Sequence, residues 1–224
     1  YVPDCDTTAC SFSAATQVVV LGLWQPDAKA AVLTALQYHP GQTPLLTKEW
    51  TSDVVPGGVL GSPVLSADGK TVYVTGRDRQ LWALNAVDGK PKWSLALDFQ
   101  PQTPPSVSPG GAIVVGGGPD TKLVGLSDVG DRAEVVWRRE DVTPLSTSSL
   151  AGGKVAYTVA AAPAGLNLLA FDPADGRRSE RVAVVRALHG DERSWLRRGR
   201  LQRAGGRRRR APSDHRPRRD QHRQ

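Results

Sequence analysis

The chain has 224 residues, 39% of them hydrophobic, with 23 glycines and a formal net charge of +7, which fits one turn-rich all-β domain of ordinary size. No apolar run approaches the about 20 residues that a membrane-crossing helix needs, so a helical span is excluded. Methionine is absent even from position 1; the chain is therefore expected to begin inside a longer reading frame, or to have been processed or trimmed, and no signal peptide is visible in it.

The N-terminal segment, residues 1–15, holds the only two cysteines, Cys5 and Cys10. Three readings stand open: a small disulfide loop, which implies an oxidising extracytoplasmic compartment; two free thiols; or a metal site, which lacks a second Cys pair or a His at ligand spacing.

From residue 16 onward the chain repeats one phrase: strand, polar turn, strand, Gly-containing turn, tryptophan. The first copy has Val18-Val-Val-Leu21, Ala31-Val-Leu33, Ala35-Leu36 and Trp50. The second and clearest has Thr71-Val-Tyr-Val-Thr75, a turn at Gly76-Arg-Asp-Arg79, Leu81-Trp-Ala-Leu84, Asn85-Ala-Val-Asp-Gly89 and Trp93. The third has Ala112-Ile-Val-Val115, a Gly-rich turn, Leu123-Val-Gly-Leu126 and Trp137. The fourth has Val155-Ala-Tyr-Thr-Val159, Leu168-Leu-Ala-Phe171 and Asp172-Pro-Ala-Asp-Gly176, and then Glu180 where a tryptophan is due.

Short runs of β-branched and aromatic residues bounded by Gly, Asp, Pro and Ser predict antiparallel hairpins. A period of about 45 residues with about four strands per unit predicts propeller blades. The fold expected is thus all-β: a partial β-propeller of about four four-stranded antiparallel blades over residues 16–177. One blade cannot bury both of its faces, so neighbours must stack. Trp50, Trp93 and Trp137 suit a wedge between neighbours, being large and apolar with an N–H that can reach a carbonyl.

Residues 177–224 carry 17 Arg, no Lys and five acids, whereas residues 1–176 carry 12 basic residues against 17 acids. All the basicity is therefore terminal. The break falls in the middle of a structural phrase, and residues 178–224 are expected to be a disordered or aberrant Arg-rich tail, frame-shifted from the repeat. A genuine basic arm would bind polyanions without sequence preference and release them as salt rises.

Ala83-Leu-Asn-Ala-Val-Asp-Gly-Lys-Pro-Lys-Trp93 resembles the A-x-D-x-x-T-G-x-x-x-W phrase of the quinoprotein-like (PQQ-like) β-propeller repeats. The resemblance puts Asn85 where Asp is usual, Asp88 where Thr is usual, and keeps Ala83, Gly89 and Trp93. Asp172 and Gly176 repeat the first half of the phrase. In that family the phrase is a tryptophan-docking motif whose Trp packs on the neighbouring blade. The likeness extends to bacterial envelope propellers such as the outer-membrane-assembly lipoprotein. The WD-repeat alternative wants Asp after Trp, but Thr51, Ser94 and Arg138 stand there.

No catalytic constellation emerges. Ile113-Val-Val-Gly-Gly-Gly118 leads into Pro119-Asp120 and another strand, not a helix that would hold phosphate. Gly125-Leu-Ser-Asp-Val-Gly130 misses the nucleophile-elbow spacing. His39 is the one histidine of the repeat region, in a turn before Pro40-Gly41, so a Ser-His-Asp triad or His-based metal site lacks parts. Asp68, Asp78, Asp88, Asp120 and Asp175 read as turn caps. No catalytic, cofactor or metal residue is assigned. The family name raises pyrroloquinoline quinone, but the adjacent cysteines and the Ca²⁺ ligands that such enzymes use have no counterpart here.

The function expected is a non-enzymatic, exported propeller scaffold of the bacterial cell envelope, periplasmic or secreted. Its partner is an unidentified protein or envelope component, with no specific nucleic acid, engaged through the loops Asp53–Gly61, Phe99–Pro109 and Glu140–Ser149. The alternatives are a fragment of a quinone-dependent dehydrogenase and a polyanion binder acting through the tail.

Overall fold

The structure is a computed structural model that describes residues 10–14, 16–25, 27–53, 55–117, 120, 122–150, 153–162 and 165–179. All of these belong to the first of two compact units, Tyr1–Ala187; the second, Leu188–Gln224, lies outside the described residues. So do Cys5, Glu180 and all but the first two residues of the Arg-rich tail.

Four antiparallel sheets follow one another along the chain, forming a partial β-propeller. The first contains β1 (Ser11–Ser13), β2 (Val18–Gln25), β3 (Ala30–Tyr38) and β4 (Leu46–Thr51), with β5 (Val55–Pro56) paired to the start of β3. The second runs β6 (Val64–Leu65), β7 (Thr71–Thr75), β8 (Gln80–Asn85) and β9 (Pro91–Ala96). The third runs β10 (Ser106–Val107), β11 (Ala112–Gly116), β12 (Leu123–Asp128) and β13 (Ala133–Arg139). The fourth shows β14 (Thr143–Pro144), β15 (Ala156–Ala162) and β16 (Gly165–Phe171). The expectation of four-stranded blades thus holds for the second and third sheets. The first gains a strand because the segment leaving β4 turns back onto β3, and the two apolar runs expected at 31–36 are one continuous strand. The fourth has three strands among the described residues, with a fourth begun by the Phe171–Arg178 bridge.

Stacking follows from side-chain alternation. All five residues of β7 are buried, because neighbouring side chains on a strand point to opposite faces and both faces are covered. Val72 and Val74 pack with Val20, Leu33 and Trp50 of the first sheet, while Tyr73 packs with Trp93, Ile113 and Leu126 toward the third. In β11, Ile113 and Val115 face back to the second sheet and Val114 faces forward to Trp137, Ala156 and Phe171. Each core is therefore shared by two sheets. Burying each such Val, Ile or Leu contributes about 1.5–3 kcal/mol. The short inner strands β1, β6 and β10 touch in succession, which curves the array.

The outer strands are different. In β4, β9 and β13 the tryptophan is the single buried position. A β-bulge falls beside the pairing of that tryptophan in each sheet, after Ala35, Ala83 and Gly125, which face Trp50, Trp93 and Trp137. A bulge re-aims the side chain next to it, and the small residue opposite leaves room for the ring. At Gly125 even a methyl group would collide with the Trp137 indole.

Candidate functional site

The residues singled out by the repeated phrase converge on the seams between sheets. Trp50 Nε1 donates to Ala86 O of the second sheet at 2.8 Å. Trp137 Nε1 donates to Pro173 O, in the turn after the fourth sheet's β16, at 2.9 Å. Each indole is thus anchored on the hairpin turn that the same phrase builds in the following sheet.

Those turns are shaped by their acids and amides. Asn85 Oδ1 accepts from Val87 N at 3.0 Å and Asp88 Oδ1 from Lys90 N at 3.1 Å. In the last turn Asp172 Oδ1 accepts from Ala174 N at 2.8 Å and Asp175 Oδ1 from Arg177 N at 2.9 Å. Side-chain acceptors two residues back hold the backbone in a turn. Gly89 and Gly176 then take φ of +72° and +71°, where L side chains are strained. A Cβ at either would strike the docked indole of Trp50 or Trp137.

The middle seam is built differently. Trp93 Nε1 donates at 3.1 Å to a side chain, Asp128 Oδ1, rather than to a carbonyl. The same carboxylate accepts from Tyr73 Oη at 2.8 Å and from Gly130 N at 2.7 Å. Lys92 Nζ lies 3.8 Å from Asp128 Oδ2 and donates to Thr71 Oγ1 at 2.9 Å. Burial works to raise the Asp128 pKa, but the Gly130 N–H, the Tyr73 hydroxyl, the Trp93 indole and the Lys92 charge together hold it below the ordinary carboxylate range. Burial, reinforced by the hydrogen bond and charge of Asp128, pushes the Tyr73 hydroxyl far above its usual value. A phenol so shifted stays protonated and serves as a donor.

Sequence reasoning passed over Tyr73, Lys92 and Asp128. The signal that finds Asp128 is spacing: it follows Trp93 by 35 residues, as Ala86 follows Trp50 by 36 and Pro173 follows Trp137 by 36.

Two clefts open at equivalent places along these seams. Between the first and second sheets a cleft of about 220 Å³ is lined by Val18, Glu49, Trp50, Leu65, Ala86 and Val87 among others. Between the second and third, an open cleft of about 410 Å³ is lined by Thr71, Tyr73, Lys92, Gly111, Asp128 and Gly130 among others. The residue before the docked tryptophan, Glu49 or Lys92, lines each.

The remaining candidates are placed as follows. Cys10 is an exposed free thiol; Cys5, its candidate partner, lies outside the described residues. Nε2 of His39 is 2.8 Å from Thr47 Oγ1 in the β3–β4 turn. Gly117 N donates to Lys122 O, closing a hairpin. Among the described residues no three His, Cys, Asp or Glu side chains gather to hold a metal ion. The segments Asp53–Gly61, Phe99–Pro109 and Glu140–Ser149 are less loop-like than expected. They contain β5, β10 and β14, and they bury Val55, Val59, Phe99, Thr103, Ser106, Ser108, Val142 and Ser148. Exposed positions such as Gln102, Glu140, Leu145 and Thr147 alternate with these buried ones.

Residues 23–209 match the profile of a family of PQQ-like repeat proteins described as outer membrane protein assembly factor BamB. Protein Rv3035 of Mycobacterium tuberculosis is 57% identical over 180 residues, covering 78% of this chain and 43% of that protein. In fold the chain is similar to BamB from Moraxella catarrhalis (TM-score 0.58, 17% identity, 80% of this chain and 53% of that one). It is also similar to the Cps50 (Swd1) β-propeller domain of Myceliophteria thermophila (TM-score 0.60, 7% identity, 79% and 56%). The chain thus spans about half the length of the proteins it matches.

Proposed function

The chain belongs to the PQQ-like propeller family described as outer membrane protein assembly factor BamB, and from that premise we propose that it is an exported, non-enzymatic scaffold of the bacterial cell envelope, binding a protein or envelope component. Residues 16–177 are its repeat domain. Trp50, Trp93 and Trp137 are its blade-docking residues, with Ala83, Asn85, Asp88, Gly89, Asp172 and Gly176 forming the strand and turns that flank or receive them. The exposed positions of 53–61, 99–109 and 140–149 present the partner surface.

The observation that carries this reading is the same at every seam. The one buried side chain of each outer strand is an indole whose N–H is bonded to the next sheet. Distinctive residues of the phrase are thereby engaged in joining sheets, which is what a rigid platform for surface recognition requires.

Two measurements test it. Fractionation of cells expressing the gene from its own start, followed by crosslinking from cysteines placed at Gln102, Glu140 and Thr147, should recover the protein outside the cytoplasm joined to an envelope protein. Recovery only in the cytoplasm defeats the reading. Pyrroloquinoline quinone with Ca²⁺ should leave the melting temperature unchanged; a saturable rise would instead favour a dehydrogenase.

A further inference from the structure

We propose that the cleft between the first and second sheets is a docking notch for a peptide segment carrying one bulky apolar side chain next to a basic residue. This rests on the binding-scaffold reading and supplies the chemistry of its partner.

Size, lining and charge support it together. The cleft holds about 220 Å³, less than the roughly 300–1,000 Å³ of small-molecule sites, so it suits one side chain rather than a cofactor. Its wall is mostly apolar, with Val18, Leu65, Ala86 and Trp50 outweighing the polar Thr16 and Gln37. Val87 on its lip is 79% exposed, the most exposed large hydrophobic residue among those described. An apolar notch with an uncovered valine at its edge gains by taking up an apolar group.

Glu49 at the rim supplies the polarity of the partner. Its carboxylate takes only a long hydrogen bond, 3.5 Å, from the Thr47 hydroxyl, and no cation is paired with it among the described residues. The equivalent position one seam along shows the contrast. There Lys92 is already held by Thr71 and Asp128 in a polar cleft. Of the two charged residues that precede a docked tryptophan and line a cleft, Lys92 is thus compensated and Glu49 is not. A cation beside an unpaired carboxylate at the edge of an apolar pocket is the complement the notch calls for.

The test uses two short probes, N-acetyl-Leu-Lys-amide and N-acetyl-Leu-Glu-amide, titrated against the isotope-labelled full chain. The expected result is saturable shifts of the Val18, Leu65 and Val87 amides with the lysine probe, at least tenfold tighter than with the glutamate probe. Glu49→Gln should reduce that preference to about twofold or less, and Glu49→Lys should invert it. Glu49 is exposed, so both variants keep the fold, which unchanged spectra elsewhere verify. No shifts up to 10 mM, equal response to both probes, or an unaltered preference in Glu49→Lys overturns the proposal. Any of these leaves export and the absence of quinone binding to be judged by their own measurements.

Discussion

Across the seam between the second and third sheets, the hydroxyl of Tyr73 donates to the carboxylate of Asp128 at 2.8 Å. The Trp93 ring lies against the Tyr73 ring, centroids 5.9 Å apart, and donates to the other oxygen of the same carboxylate. A hydrogen bond to a charged group is worth about 1.5–3 kcal/mol, against about 1 kcal/mol for the indole-to-carbonyl bonds of the flanking seams. The middle seam therefore depends on one ionised side chain where its neighbours depend on backbone.

Asp128→Ala removes the acceptor of three donors and leaves Tyr73 Oη and Trp93 Nε1 without it. The expected cost is about 2–4 kcal/mol by urea denaturation, and Tyr73→Phe alone should cost about 1 kcal/mol. The double variant should be less destabilised than the sum by 0.5 kcal/mol or more, in the manner of contacting residues. Strict additivity would show that the two groups do not interact.

Acid should loosen this seam. The Asp128 pKa is depressed in the folded state, so its stabilisation is complete above the unfolded carboxylate value, about 3.9, and is lost as pH falls through the folded value. Other carboxylates are depressed too: burial works to raise the Asp98 pKa but Arg138 and Lys122 hold it down, Arg139 chiefly lowers Asp141, and the Ser66 hydroxyl chiefly lowers Asp68, so the wild type alone is not diagnostic. The difference in unfolding free energy between wild type and Asp128→Asn should be constant near neutrality and shrink below about pH 4. A pH-independent difference contradicts the assignment.

The tryptophan N–H and the tryptophan volume separate cleanly. Trp50→Phe keeps a ring in the seam and loses the bond to Ala86 O, for about 1 kcal/mol. Trp50→Ala opens a cavity beside Val20, Leu33 and Val72 and should cost about 3–5 kcal/mol. Near-ultraviolet circular dichroism with denaturant melts reads both; equal costs would place the ring's contribution in the hydrogen bond alone.

Gly89→Ala and Gly41→Ala isolate the steric demand of docking. Both glycines have positive φ, +72° and +75°, so each substitution carries a backbone cost of about 1 kcal/mol. Only at Gly89 does the new methyl meet an indole, that of Trp50, while at Gly41 nothing lies within 4 Å. Gly89→Ala should be the more destabilising by at least about 1 kcal/mol in paired thermal melts.

Much of this architecture is legible in the chain. The unbroken apolar runs Val72-Tyr73-Val74 and Ile113-Val114-Val115 announce strands, and the Asn85–Gly89 and Asp172–Gly176 phrases announce the turns beside which indoles lie. What the linear pattern hides is anything made across sheets. Asp128 sits in a degenerate copy of the phrase, so nothing local marks it as the acceptor of Trp93 and Tyr73. The segments 99–109 and 140–149 look like loops because Pro and Ser fill them, yet Phe99 and Val142 are core.

The sequence by itself determined the repeating unit, since strand periodicity, turn chemistry and the spacing of Trp50, Trp93 and Trp137 are properties of neighbouring residues. Only the tertiary structure decided which turn receives which indole, that Asp128 replaces a carbonyl in one seam, and that Glu49 borders an apolar notch while Lys92 is neutralised. The physical reason is that these are contacts between sheets: their energies depend on burial and distance between residues 35 or more positions apart, which local preference does not encode.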